Sequence, residues 1–195
     1  MKKLIIAATL LCVGVLIFAT RYSSTLNWRR VDTGKEAYKK YYDTKTSDVS
    51  ISPFAPYVTP LEDFDRKAYF VCKALENSWP FTRKGTRFFV GTNRAGILRL
   101  SLLVGLTSAW TVRDPDGGVR NEVYFWPKTL KEKAFKGIVA HELGHIEEQD
   151  SNDLVADAFA KKMLTLRREE IGNLIDFLRK VGMDKSHPRI IALSN

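Results

Sequence analysis

The residues best suited to chemistry lie in the stretch "AHELGHIE", residues 140–147, which holds two of the three histidines in the chain. His141 and His145 are four residues apart, so on a helix both rings can face a single point. Zinc binds imidazole readily, and a catalytic zinc takes three protein ligands and leaves a fourth position for water. The spacing therefore predicts a site for one Zn2+ per chain.

The glutamate between the two histidines has a different place on the same helix. Glu142 is rotated by about 100° from His141, which puts it beside the metal rather than on it. From there a carboxylate can act as general base and take a proton from the zinc-bound water, while the metal polarises the scissile carbonyl. The motif therefore predicts a zinc-dependent endopeptidase that acts on a protein or peptide substrate.

The third ligand has to come from outside this motif. A metzincin would have a glycine and a third histidine where this chain has Glu148 and Ser151, so that class is excluded. The remaining histidine, His187, is 42 residues beyond His145. An acid on the next helix is therefore the expected ligand.

Two aspartates of that next helix, Asp153 and Asp157, share one face. One can bind zinc while the other hydrogen-bonds a ligand histidine and orients its ring. The spacing leaves their roles open, because a hairpin that turns near Asp150 would bring Asp157 level with the midpoint of the two histidines. Asp153 is also a suitable residue to cap the helix N-terminus.

The segments "HELGH" and "DLVADAFA" together resemble the gluzincin peptidases of the CAAX prenyl protease and heat-shock membrane protease type. In that family HExxH is followed by Glu-x-x-x-Asp, which implies that Asp153 is the zinc ligand and Asp157 its support. "SHP", residues 186–188, is similar to the family's Ser/Thr-His-Pro motif, which implies that His187 comes near the active site and stabilises the transition state. The resemblance covers roughly residues 119–190.

This chain departs from the family pattern in three ways. Asp153 stands where the family has Glu, and its side chain is one methylene shorter, so the second helix must approach more closely. Gly144 lacks a side chain and allows such an approach. Only seven residues separate His145 from Asp153, and the multi-pass membrane body is absent, so prenylated substrates are not implied.

The elements that must position these residues are predicted from their periodicity. Apolar residues at helical spacing predict a helix over 62–79, and three strand-like runs follow at 86–92, 96–110 and 119–127. Three helices come next: one capped by Thr129 with Glu132, one that runs to about residue 168, and one that ends at Gly182. The predicted fold is α+β, with a three-stranded antiparallel sheet followed by the helices of the zinc site.

The N-terminus predicts a membrane attachment. "MKK" precedes an uncharged apolar run over residues 4–20, the layout of a signal anchor or signal peptide over residues 1–21. A small-x-small cleavage pattern is poorly formed, which favours an uncleaved anchor. Lys2 and Lys3 favour a domain on the outer side of the membrane, although basic residues beyond the run favour the opposite orientation. Residues 22–60 are expected to be a tether, and residues 61–195 the zinc metallopeptidase domain.

The composition narrows the remaining classes. An apolar fraction of 45% is that of a folded protein, and the net charge of +9 comes from basic residues spread among acids. No basic stretch is interleaved with aromatics on one element, so nucleic-acid binding is not expected. The alternative function is a catalytically silent membrane-anchored binding or regulatory module with a structural metal site. A purely structural site would not need Glu142, which favours the enzyme.

Overall fold

The computed structural model describes residues 54–100, 107–113 and 118–195 of the chain. The predicted anchor over residues 1–21 and most of the predicted tether lie outside these residues. Within the described ranges, no helix has the length and apolar character needed to cross a bilayer.

A four-stranded mixed sheet forms one layer of the domain. Its strands are β1 (Val58–Pro60), β2 (Arg87–Gly91), β3 (Ala109–Arg113) and β4 (Val119–Phe125), in the order β1-β2-β4-β3. β2 pairs with β4 in parallel, while β1 with β2 and β3 with β4 are antiparallel. The α+β class is confirmed, but the predicted three-stranded antiparallel sheet is wrong. Strand order depends on long-range pairing, and β4 lies between β2 and β3 rather than at the end of a meander.

The strand predicted over residues 96–110 is also wrong for most of its length. A helix, α3, occupies Arg94–Leu100, residues 101–106 lie outside the described ranges, and β3 begins only at Ala109. The side chain of Asn93 accepts a hydrogen bond of 3.0 Å from the backbone N–H of Gly96, as a helix N-cap does. Alternating leucines suggested a strand, but leucine is also a strong helix former, so the local cap and the packing decide.

Two predicted helices begin or continue differently from expectation. The helix predicted over 62–79 is divided into α1 (Leu61–Phe64) and α2 (Arg66–Asn77), because Asp65 is extended and its side chain caps α2 at Ala68. The predicted capping box of Thr129 and Glu132 is absent, since Thr129 starts a short 3-10 turn and its hydroxyl donates to the Ser108 carbonyl oxygen, 2.6 Å away.

Four further helices complete the domain: α4 (Phe135–Glu148), α5 (Asp153–Met163), α6 (Arg168–Lys180) and α7 (Pro188–Ser194). α6 ends at Lys180 with Val181 as its C-cap, and Gly182 follows with φ +104°, which confirms the predicted glycine at the helix end. α4 contacts β3, β4, α2, α5 and α6 and is therefore the central helix. β1 lies inside the segment expected to be a tether, so the sheet includes residues upstream of 61.

Candidate metal centre

The central helix α4 carries both histidines and the glutamate of the motif. His141, Glu142 and His145 are only 6%, 6% and 7% exposed. The helix ends at Glu148, and its C-cap residue Gln149 has a left-handed backbone (φ 54°). The Gln149 side chain accepts from the Val119 N–H at 2.9 Å and donates to the Val119 carbonyl at 3.0 Å, so the end of α4 is held against β4.

The second helix of the site packs on α4 with its backbone in close contact. A Cβ atom on Gly144 would lie 2.9 Å from the carbonyl oxygen of Ala156 and 3.0 Å from the Phe159 Cβ. The expectation that Gly144 allows another backbone to approach is therefore confirmed. This approach lets the short side chain of Asp153 reach the two histidines.

The N-cap of α5 is Asn152 rather than Asp153. The Asn152 side chain accepts from the Leu154 N–H at 2.9 Å, and Asp153 is the first residue of the helix. The carboxylate of Asp153 is therefore available to other partners. The alternative role for Asp153, as a helix cap, is not the one that the structure shows.

Three ligand atoms meet at one point of this helix pair. The Nε2 atoms of His141 and His145 are 3.1 Å apart, and each lies 3.4 Å from Asp153 Oδ1. Four ligands around zinc at about 2.0–2.1 Å would be separated from one another by about 3.3–3.4 Å in a tetrahedron. His141, His145 and Asp153 thus form a possible metal-binding triad whose spacing fits one zinc ion.

The remaining ring nitrogens of the two histidines face oxygen acceptors. His141 Nδ1 lies 2.7 Å from Asp157 Oδ1, and His145 Nδ1 lies 2.7 Å from the carbonyl oxygen of Asp150. A carboxylate or carbonyl oxygen can only accept, so each Nδ1 carries a proton and each Nε2 can offer its lone pair to a metal. The carbonyl of Asp150 is a partner that sequence reasoning did not identify.

Asp157 therefore lies on the far side of the His141 ring from the triad. Asp157 is fully buried, and neither of its carboxylate oxygens belongs to the cluster of three ligand atoms. The expectation that a hairpin near Asp150 would bring Asp157 to the midpoint of the two histidines is wrong. The close contact of α5 with α4 at Gly144 brings the first turn of α5 to the Nε2 atoms and leaves Asp157 one turn further along, at Nδ1 of His141.

The charges of the site interact strongly. Burial opposes a charged His141, but hydrogen bonds to Asp153 and Asp157 outweigh burial and raise the pKa of His141 to about 9. Hydrogen bonds from His141 and His145 hold the pKa of Asp153 below its usual range. In the metal-free protein, His141 therefore carries a proton on Nε2 as well as on Nδ1 at neutral pH, and a metal ion has to displace the proton on Nε2.

Glu142 lines a cleft of about 590 Å³ beside the triad. Within the described ranges, its carboxylate has no hydrogen-bond or salt-bridge partner. Burial raises the pKa of Glu142 above its ordinary value, although the neighbouring histidines oppose this shift. A buried, unpartnered carboxylate with a raised pKa has the properties of a general base.

The same cleft runs along the sheet edge. Residues 107–111, which include the start of the edge strand β3, form part of its lining. Apolar side chains of α4 and α6, Ile138, Leu174 and Phe177, form another part. The cleft therefore combines backbone of an edge strand, an apolar surface and the candidate metal ligands.

His187 and Arg189, two residues near the end of the chain, lie in different places relative to the cleft. The His187 ring accepts from the Arg189 N–H at 3.3 Å and caps α7, and His187 is not among the residues that line the cleft. Arg189 does line the cleft and contacts both aspartates. Arg189 was not among the predicted site residues, although the need of two neighbouring carboxylates for a cation was a usable signal.

In comparisons with known proteins, no family model, curated protein or solved structure matches this chain. The resemblance to gluzincin peptidases therefore depends on the motif residues themselves. Function has to be argued from the chemistry of the site.

Proposed function

We propose that this chain is a zinc-dependent endopeptidase of the gluzincin type, with Glu142 as its general base. One observation carries the proposal: the three candidate ligand atoms of His141, His145 and Asp153 cluster beside the buried Glu142, whose carboxylate has no hydrogen-bond or salt-bridge partner among the described residues, and all four residues line one cleft. A structural metal site would have no use for that carboxylate.

The residues divide the work between holding a metal and moving a proton. His141, His145 and Asp153 would hold Zn2+, which supplies Lewis-acid chemistry by acidifying water and polarising a carbonyl. Glu142 accepts the proton of the attacking water and then passes it to the leaving amine. Its raised pKa suits this exchange, since a base is most effective when its pKa approaches the working pH.

The form of the cleft supports a peptide as substrate. Among the described residues, β3 is an outer strand of the sheet and pairs only with β4, so its other side can accept an extended peptide as an added strand. The apolar surface of Ile138, Leu174 and Phe177 can then receive a side chain of that peptide. No nucleic acid is needed as a partner.

We also propose that residues 1–21 anchor the enzyme to a membrane. The support is the uncharged apolar run that follows Lys2 and Lys3. These two lysines also favour an outward-facing domain. Cleavage would then occur close to the membrane surface. His187 acts in this proposal as the cap that sets the start of α7.

The test compares Glu142→Gln with the wild-type 195-residue chain. We expect about one zinc per chain in both proteins, and a loss of cleavage of an unfolded protein by about 10²–10⁴-fold in the variant. Glu148→Gln is the matched control, because Glu148 is an exposed residue of the same helix. That control should keep both zinc and activity.

Two results would contradict the proposal. Loss of zinc from Glu142→Gln would show that Glu142 is a ligand or a structural residue rather than a base. Absence of cleavage by the zinc-loaded wild-type protein, tested on several unfolded proteins, would favour the binding or regulatory module instead.

A further inference from the structure

Arg189 is a partly buried cation beside the candidate metal site and lines the same cleft. Its side chain is 13% exposed and comes from α7, the last helix of the domain. Nε and Nη2 donate to the two oxygens of Asp157 at 2.6 and 2.9 Å, and Nη1 donates to Asp153 Oδ2 at 3.1 Å. One guanidinium therefore joins both carboxylates.

These contacts divide the two oxygens of Asp153 between different partners. Oδ1 faces the Nε2 atoms of the two histidines at 3.4 Å, whereas Oδ2 is held by Arg189. An aspartate with both oxygens free can bind a metal through both of them and occupy two coordination positions. The hydrogen bond to Oδ2 leaves Oδ1 as the single oxygen offered to a metal.

We propose that Arg189 is a positioning residue that makes Asp153 a one-oxygen metal ligand and holds Asp157 against His141. It keeps the number of protein ligand atoms at three, which leaves a position open for water. It also supplies the counter-charge that fully buried Asp157 needs. The inference rests on the metal-binding part of the proposed function and not on peptide hydrolysis.

The shape of the side chain matters as much as its charge. Three nitrogens of a rigid, planar fork reach three oxygens on two residues, and a lysine with a single nitrogen cannot reproduce that arrangement. The fork is placed by the backbone of α7, which starts at Pro188 and is tied to α5 by a 3.1 Å bond from Lys161 Nζ to the Ala192 carbonyl oxygen. The C-terminal helix is therefore part of the metal site.

The test uses zinc and cobalt(II) with the metal-free 195-residue chain. For Arg189→Ala, we expect zinc affinity, measured by competition with a chelator, to fall about 10–100-fold. The visible absorption of the cobalt(II) form should weaken, because four-coordinate cobalt(II) absorbs more strongly than five- or six-coordinate cobalt(II). Arg189→Lys should keep the fold but recover neither the affinity nor the cobalt spectrum.

The matched control is Arg179→Ala, at an exposed position near the end of α6, which should leave both measurements unchanged. Full recovery by Arg189→Lys would overturn the role of the fork, and wild-type affinity in Arg189→Ala would overturn the proposal as a whole. A lower affinity with an unchanged cobalt spectrum would also overturn it, since Arg189 would then only stabilise the fold. If the wild-type protein binds neither metal, the metal site itself is refuted; if it binds zinc and cleaves nothing, only the peptidase is.

Discussion

The contact between α4 and α5 at Gly144 is the feature that brings Asp153 within reach of the histidines, and it can be tested with one methyl group. In Gly144→Ala, the new Cβ would lie 2.9 Å from the Ala156 carbonyl oxygen, whereas ordinary contact begins at 3.4 Å. The two helices would have to separate by about 0.5 Å, because the Ala156 carbonyl oxygen and the new Cβ are both fixed by the helix backbones and cannot rotate away. Overpacking of this kind costs about 1–3 kcal/mol.

The chain offers a matched control at a second helical glycine. Gly172 lies in α6, and a Cβ there would have no neighbour within 4 Å. Alanine is preferred over glycine in a helix by about 1 kcal/mol, a gain that applies to both positions. The difference in unfolding free energy between Gly144→Ala and Gly172→Ala therefore measures the packing cost alone, and we expect Gly144→Ala to be the less stable by about 1–3 kcal/mol.

Urea unfolding of the metal-free variants measures this difference, and zinc affinity provides a second readout. Separation of the helices moves Asp153 away from the two Nε2 atoms, so Gly144→Ala should also bind zinc more weakly, while Gly172→Ala should not. Equal stability and equal zinc affinity in the two variants would refute the close helix contact and, with it, the reason why an aspartate can serve as third ligand.

Two further predictions concern the pH dependence of the site and its substrate. The pKa of about 9 for metal-free His141 means that zinc competes with a proton for this residue. The apparent zinc affinity, measured by competition with a chelator, should therefore rise about tenfold per pH unit from pH 7 to 8 and level off above about pH 9. An affinity that does not change with pH would contradict this prediction. Val181, which is 56% exposed and lines the cleft, should contact substrate, so Val181→Asp should raise KM for peptides with bulky apolar residues and leave kcat nearly unchanged. Leu166→Asp, at a 98% exposed leucine outside the cleft lining, is the control, and equal KM values in the two variants would exclude Val181 from the substrate site.

Parts of the site that depend on spacing along one helix were predictable. His141, Glu142 and His145 occupy one helix because of their own sequence separation, and the structure places all three at one cleft. The strand over 119–127 and the glycine after α6 also follow from local composition. Such features depend on neighbours within a few residues, which the sequence displays directly.

Other parts depend on how distant segments meet. The parallel pairing of β2 with β4 and the helix at Arg94–Leu100 were not predicted, because alternating leucines fit either a strand or a buried helix and strand order is a long-range property. Arg189 likewise reaches the site only because α7 packs against α5.

By itself, the sequence determined that two histidines and a glutamate share one helix and that an acid pair follows on the next. It left the roles of Asp153 and Asp157 open, because the two residues share one face of their helix and either could reach the histidines. The tertiary structure decided between them: Gly144 lets α5 lie against α4 so that Asp153 meets the Nε2 atoms, and Arg189 holds Asp157 on the other side of His141. The distance between two helices is set by the packing of their side chains and backbones, and the spacing of residues along either helix does not determine it.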